Sequence, residues 1–189
     1  MNTIKRVVPI LAVLLSAAPV AAQGSFLQTD FVSAVRSRDG TKAMELLRER
    51  GNSVINTRDD KGETALIVAI SRRDEEWTGF LLNQGADPNY AARNGDTPLI
   101  AAARAGYIGA AADLVRLRVK IDAANRMGET ALIMAVQQRQ PVIVKLLLAA
   151  GANPDKPDSA AGLTARDYAK RDTRSRDILK LIEAQKPKA

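Results

Sequence analysis

Short apolar blocks alternate along the chain with short amphipathic ones, and the alternation repeats. Four blocks open on a glycine with a threonine two residues later. Three of them are Gly62-Glu-Thr-Ala-Leu-Ile-Val-Ala-Ile70, Gly95-Asp-Thr-Pro-Leu-Ile-Ala-Ala-Ala103 and Gly128-Glu-Thr-Ala-Leu-Ile-Met-Ala-Val136. Gly162-Leu-Thr-Ala-Arg-Asp-Tyr-Ala-Lys170 is a more divergent fourth. Their glycines recur every 33 or 34 residues. A second phrase falls between them, Leu81-Leu-Asn-Gln-Gly-Ala-Asp-Pro-Asn89 and Leu147-Leu-Ala-Ala-Gly-Ala-Asn-Pro-Asp155. Each unit predicts two helices: an inner one, capped by the threonine and carrying the apolar block, and an amphipathic outer one.

The units differ in quality. Phe31–Val35 predicts a first inner helix and Thr41–Arg48 its outer partner, with Thr41 as the cap. In the second unit Thr64 caps a helix carrying Leu66, Ile67, Ala69 and Ile70. Asp74 caps the outer helix, whose first turn holds Glu75 and Glu76, the favoured sign at a helix start. Trp77, Phe80, Leu81 and Leu82 form the stripe expected to be buried, and Gly85 closes the helix in a left-handed conformation. The third unit starts well, with Thr97 as cap and Pro98 at the first helical position. Its outer half is weaker, because Asp113 replaces an apolar residue, Gly109 lowers helix propensity and Arg118 stands where the neighbours have Gly85 and Gly151. That turn must be reshaped or strained. The fourth unit regains the pattern with Leu132, Val136, Val142, Val144, Leu146 and Leu147. A last pair is expected near 164–170 and 175–184, buried through Ile178, Leu179, Leu181 and Ile182, with a charged outer side that keeps the end of an array soluble.

A period near 33 with G-x-T-P-L and L-L-x-x-G-A-D-x-N resembles the ankyrin repeat. The resemblance implies an all-α ankyrin-repeat solenoid of about five helix-turn-helix units with hairpin-like turns. It places repeats at about 25–58, 59–91, 92–124, 125–157 and 158–185, in a domain spanning 23–185 with a disordered tail at 186–189. The family often carries histidine after T-P-L. Here Ile67, Ile100 and Ile133 fill that place, so apolar packing must replace the hydrogen bonds of the imidazole.

Residues 1–22 are of another kind. Lys5 and Arg6 precede a nearly unbroken apolar run from Val7 to Ala18, and Val20-Ala21-Ala22 supplies small residues at a cleavage point. This is the layout of a secretory signal peptide, cut after Ala22. A spanning helix needs ~20 apolar residues, more than this run offers, and Pro9 and Pro19 interrupt it. The expected location is the periplasm, with no stable membrane insertion after cleavage. The 189 residues carry 28 basic and 21 acidic side chains, a formal charge of +7 that falls to +5 without Lys5 and Arg6. The charges are evenly mixed and lack the basic runs of a nucleic-acid arm, so nucleic acid is a disfavoured partner. There is no cysteine, so no disulfide framework supports the fold.

Little in the chain suggests catalysis. It contains neither His nor Cys, which excludes the common zinc sites and Ser–His or Cys–His nucleophiles. Asp59-Asp60 reads as tip charge in water, and Asp74-Glu75-Glu76 as helix capping. No glycine-rich phosphate loop occurs. The expectation is a non-enzyme with no cofactor and no metal, and a hydrolase using a Ser–Lys or carboxylate site is the remote alternative.

What remains is recognition. Partners of ankyrin repeats commonly lie against the hairpin tips and the concave face of the inner helices, and the resemblance implies the same surface here. The 33-residue register puts Arg58, Asp59, Asp60 and Lys61, then Arg93 and Asn94, then Arg126 and Met127 at the tips. It puts Ser71 and Arg72, then Arg104, then Gln137, Gln138 and Arg139 at the exposed ends of the inner helices. Tyr90, at a hairpin base, is either a contact residue or simple packing. A ladder of guanidiniums at Arg58, Arg93 and Arg126 suits carboxylates or phosphates on a partner. The expected function is therefore a monomeric binding scaffold or regulator for an acidic protein. An anionic surface, such as a cell-wall polymer or lipid headgroups, is the alternative partner.

Overall fold

The computed structural model describes residues 31–184, which form a row of five helix pairs. The pairs are α1 (31–37) with α2 (Gly40–Arg50), α3 (Ala65–Ser71) with α4 (Glu75–Asn83), α5 (Pro98–Ala105) with α6 (Ile108–Arg116), α7 (Ala131–Gln137) with α8 (Pro141–Ala149), and α9 (Ala165–Arg171) with α10 (Arg176–Glu183). Short 3-10 turns follow α2 at Gly51–Val54 and precede α10 at Thr173–Ser175. Among the described residues extended pairing is confined to single bridges, Arg58 with Thr64 and Ala124 with Thr130, at the necks of two hairpins. The expected leader (1–22), residues 23–30 and the tail (186–189) lie outside the described residues.

The helices start where their caps stand. Thr64, Thr97 and Thr130 each accept a hydrogen bond from the backbone N–H three residues on, at 3.2 Å. Thr164 does so within a reciprocal capping box with Asp167. Asp74 caps α4 through the N–H of Trp77. The first outer helix departs from expectation: Asp39 caps it, taking the N–H of Lys42 at 2.9 Å, and Thr41 is already inside. Arg38, left-handed at φ 60°, turns the chain one step earlier and puts a stronger acceptor at the helix start.

The three central inner helices are buried along most of their length. Ala65 to Ile70, Pro98 to Ala103 and Ala131 to Val136 are buried without a break. The three isoleucines in the histidine position are 3 % exposed or less, so packing does take the place of polar bonds there. Outer helices contribute one stripe each. In α4 only Leu81 and Thr78 are fully buried, while Trp77, Phe80 and Leu82 are half-buried against the core. Trp77 meets Phe80 edge to face at 5.5 Å. The Thr78 hydroxyl has no hydrogen-bond partner among the described residues. In α8, Val142 is 55 % exposed and Ile143 fully buried, the reverse of the expected stripe, because Pro141 sets the first turn and Ile143, Val144 and Leu147 share the inward face.

The tips stack through backbone groups. The N–H of Arg93 donates to Gly62 O at 2.8 Å, that of Arg126 to Asn94 O at 3.1 Å and that of Ser159 to Met127 O at 2.8 Å. A Cβ at Gly128 would lie 2.3 Å from the Ser159 nitrogen, so the glycine is needed for close approach as well as for its φ of 78°. Gly162, with φ 65°, has open space where its Cβ would be.

Two consequences can be measured. Gly162→Ala should cost about 1 kcal/mol from backbone strain alone, whereas Gly128→Ala should add a steric cost of about 1–3 kcal/mol by forcing two tips apart. Denaturant titration of both variants checks this, and equal losses would remove the close-approach argument. The third repeat combines Gly109, the exposed Asp113–Arg116 pair and a left-handed Arg118. Its outer helix should therefore exchange amide hydrogens before Leu81–Asn83 or Leu147–Ala149, whereas equal protection would mean the joint is not weak.

Candidate functional site

The sequence-predicted contact residues fall into two groups, and the structure engages many of them internally. At the tips, the hairpin necks close through Asp59 N–H to Glu63 O, Ala92 N–H to Asp96 O and Asn125 N–H to Glu129 O, at 2.8–3.0 Å. Arg58 Nε and Nη2 both donate to the carbonyl of Ala91, at 3.0 and 2.7 Å, and its guanidinium lies 4.2 Å from the centre of the Tyr90 ring. Tyr90 is thus a packing platform for Arg58. Arg93 reaches back to the carbonyl of Asp60 at 3.3 Å, its stem lying over Gly62. Arg126, exposed, makes no side-chain bond among the described residues, and Met127 beside it is 54 % exposed. Lys61 is likewise exposed and without a polar partner among the described residues. Asp59 does not sit in water as expected: it is buried, accepting from the N–H of Glu63 at 2.9 Å and pairing with Arg36.

The inner-helix ends line a cleft of 460 Å³. Ile67, Ala92 and Ala101 supply its apolar wall, and Arg36, Lys61, Glu63, Ser71, Asn94, Asp96 and Arg104 its polar one. Ser71 and Arg104 are 33 residues apart, so Ser71 is where a repeat unit puts a short side chain in the place of an arginine. The two cleft arginines are held by carboxylates. Arg36 Nη2 lies 2.8 Å from Glu63 Oε2. Arg104 spans both oxygens of Asp96, with Nη2 to Oδ1 at 3.1 Å. Asp96 also accepts from Asn94 Nδ2 at 2.7 Å and Asn125 Nδ2 at 2.9 Å. Burial alone would raise the pKa of Asp96, but the bonds from Arg104 and Asn125 outweigh it and hold the carboxyl below its ordinary value.

The other predicted residues lie along the edge of the inner layer. Arg72 donates to the carbonyl of Arg36. Gln137 is half-buried and bonds toward Tyr168, and Gln138 is exposed. Arg139, left-handed at φ 53°, pairs with Asp172 at 2.6 Å. Arg36, Glu63, Asp96 and Asn125 were not singled out in the sequence, although the acid that follows three of the four repeat glycines (Glu63, Asp96, Glu129) was a readable signal. Arg36 was not readable, since the first repeat lacks the phrase that sets the register.

A row of stacked helix pairs with short-necked hairpins and a cleft beside the inner helices defines a repeat scaffold of the ankyrin type. The ankyrin repeats family (three copies) matches residues 31–125 and 80–158, more than half of the chain, which therefore belongs to this family of protein-interaction modules. It is similar to the ANK repeat-containing protein nipk-1 of Caenorhabditis elegans, at 30 % identity over 153 residues, 72 % of this chain and 25 % of that protein. It is also similar to an ankyrin repeat-containing protein of Treponema pallidum (strain Nichols), at 29 % identity over 157 residues, 77 % of this chain and 41 % of that one. Human ankyrin repeat domain-containing protein 63 matches at 32 % over 129 residues, 60 % of this chain and 34 % of that protein. The chain thus spans between a quarter and about two fifths of the length of these relatives.

The electrostatics set an acid limit. Arg139, the Arg174 N–H and Ser175 hold Asp172 at a pKa of about 2. Burial opposes ionisation of Asp158, but the Tyr168 hydroxyl and the N–H groups of Ala160, Ala161 and Gly162 outweigh it and lower its pKa. A depressed folded pKa gives stability that is complete above the unfolded value near 3.9 and is lost as pH falls through the folded one. Thermal midpoints should stay level from about pH 5 to 8, since no side chain ordinarily titrates there without histidine, and fall between about pH 4 and 2. Asp172→Asn should flatten that acid limb. An unchanged limb would show that Arg139 does not discriminate the charged form.

Proposed function

We propose that this chain is a non-enzymatic binding scaffold or regulator, exported to the periplasm, that holds an acidic protein partner across its hairpin tips and inner-helix cleft. The observation that carries the reading is the cleft at Ser71. Its apolar wall can take an extended segment, and Lys61 on its rim and Arg126, at a tip outside the cleft, are exposed cations with no partner among the described residues to satisfy first. Arg58 and Arg93 support the surface in another way, by fixing one tip to the next. The leader-like residues 1–22 support export. The fold and its family support protein binding over catalysis, as does the absence of His and Cys.

The free cations, rather than the engaged arginines, are the ones to change. Affinity capture from a periplasmic extract should retain a protein on the wild type and lose it about tenfold on Lys61→Glu/Arg126→Glu, because reversed rim charges repel an acidic partner. Thermal midpoints should match, since neither side chain bonds within the described fold. Retention equal to wild type would move the partner off this surface. Retention of an anionic polymer in place of a protein, falling steeply with salt, would favour the cell-wall alternative.

A further inference from the structure

Among the described residues, the non-glycine residues with left-handed backbone are all arginines: Arg38, Arg73, Arg118 and Arg139, with φ between 53° and 60°. A residue with a Cβ is strained in that conformation, and such strain persists where something else compensates it. Three of the four show their compensation. Arg38 Nε lies 2.8 Å from Asp74 Oδ2, Arg73 Nε donates to the carbonyl of Ala105 at 2.6 Å, and Arg139 Nε lies 2.6 Å from Asp172 Oδ2. Each ties the end of an inner helix to the following repeat.

Arg118 differs in place and in partners. It follows the outer helix α6, in register with Gly85 and Gly151, whose φ values are 91° and 90°. Its guanidinium makes no hydrogen bond or ion pair among the described residues, and the residue is exposed. Its neighbours in the loop, Val119 apart, are exposed too. The Arg116 side chain is 78 % exposed, Leu117 is 51 % exposed and Lys120 is exposed, while Val119 is buried and anchors the loop. The carboxylates nearby in sequence are engaged: Asp113 with Arg116 at 2.7 Å, and Asp122 with the N–H of Asn153 at 2.9 Å. The loop therefore displays a leucine between two arginines, with a lysine beyond. It belongs to the outer layer, whereas the cleft belongs to the inner helices.

We propose that the Arg116–Lys120 loop is a docking surface for an anionic lipid headgroup layer. Leu117 enters the interface, and Arg116, Arg118 and Lys120 sit at the level of the phosphates. An exposed aliphatic residue flanked by cations matches a surface that is apolar just beneath a layer of negative charge. An acidic protein segment would also meet the cations, and poly-L-glutamate stands for it in the test. Backbone bonds hold the left-handed turn open to solvent, from the N–H of Arg118 to Val115 O at 2.9 Å and from that of Val119 to Leu114 O at 3.4 Å.

The absence of cysteine allows a local probe on the full chain. Leu117→Cys is labelled with an environment-sensitive nitrobenzoxadiazole dye, so the signal reports this loop and not the apolar residues near the N-terminus. Met44→Cys, at another exposed position, serves as the control. Vesicles of phosphatidylcholine with about a third phosphatidylglycerol should raise the emission at 117 and not at 44, and neutral vesicles should do neither. Adding Arg118→Gly should lower the response about fivefold while raising the thermal midpoint, because a cation is lost as strain is relieved. A purely structural Arg118 would give the opposite change in stability. No response at 117, an equal response to neutral vesicles, or a response unchanged by Arg118→Gly would overturn the proposal. A response to poly-L-glutamate in place of vesicles would overturn it in favour of an acidic protein.

Discussion

The three central inner helices are apolar on nearly every face, and the rest of the structure depends on that fact. Helices of seven or eight residues are too short to persist alone in water. Each here is enclosed by its own outer helix on one side and by the inner helices of adjacent repeats on the others. No repeat can bury its own apolar surface, so stability comes from stacking. Replacing the usual histidine by Ile67, Ile100 and Ile133 carries this further, since a polar link between repeats becomes a packed one. The array gains a core without a titratable group near neutral pH and becomes more dependent on close contact between repeats.

Polar groups then set the register that apolar packing leaves loose. The tip-to-tip backbone bonds, the Arg58–Ala91 contact and the left-handed arginines that reach into the next repeat all run along the stack. Several of these arginines are exposed, and single exposed ion pairs contribute little. Their geometry matters more than their energy. They are repeated from one unit to the next and oppose sliding or twisting of one repeat on another. The same economy shapes the candidate site, where Arg36 and Arg104 are held by Glu63 and Asp96, and the cleft opens beside the short side chain of Ser71.

The family, the number of helix pairs and the threonine caps were legible in the sequence, because each depends on local chemistry repeated at a fixed interval. The strained turn at Arg118 was legible as well, by comparison with Gly85 and Gly151 in the same register. The first outer helix was misjudged by two residues because Asp39 was not matched to Asp74, although each follows an arginine (Arg38, Arg73) that the structure shows to be left-handed. The burial of Asp59 was misjudged because its partner, Arg36, is 23 residues away in a repeat without the guiding phrase.

The sequence by itself thus determined the architecture, the period, the helix starts that rest on local caps and the positions where the pattern fails. These follow from side-chain periodicity and backbone preferences, which act over a few residues. Only the tertiary structure decided which charges are engaged and which are free. Arg93 and Arg126 each stand two residues before a repeat glycine and look alike in sequence, yet the first is bonded to the neighbouring repeat and the second is not, while Arg58, four residues before its glycine, meets a carbonyl one repeat on. That distinction depends on what each guanidinium meets across the stack about one repeat, some 33 residues, away, and no local pattern encodes it.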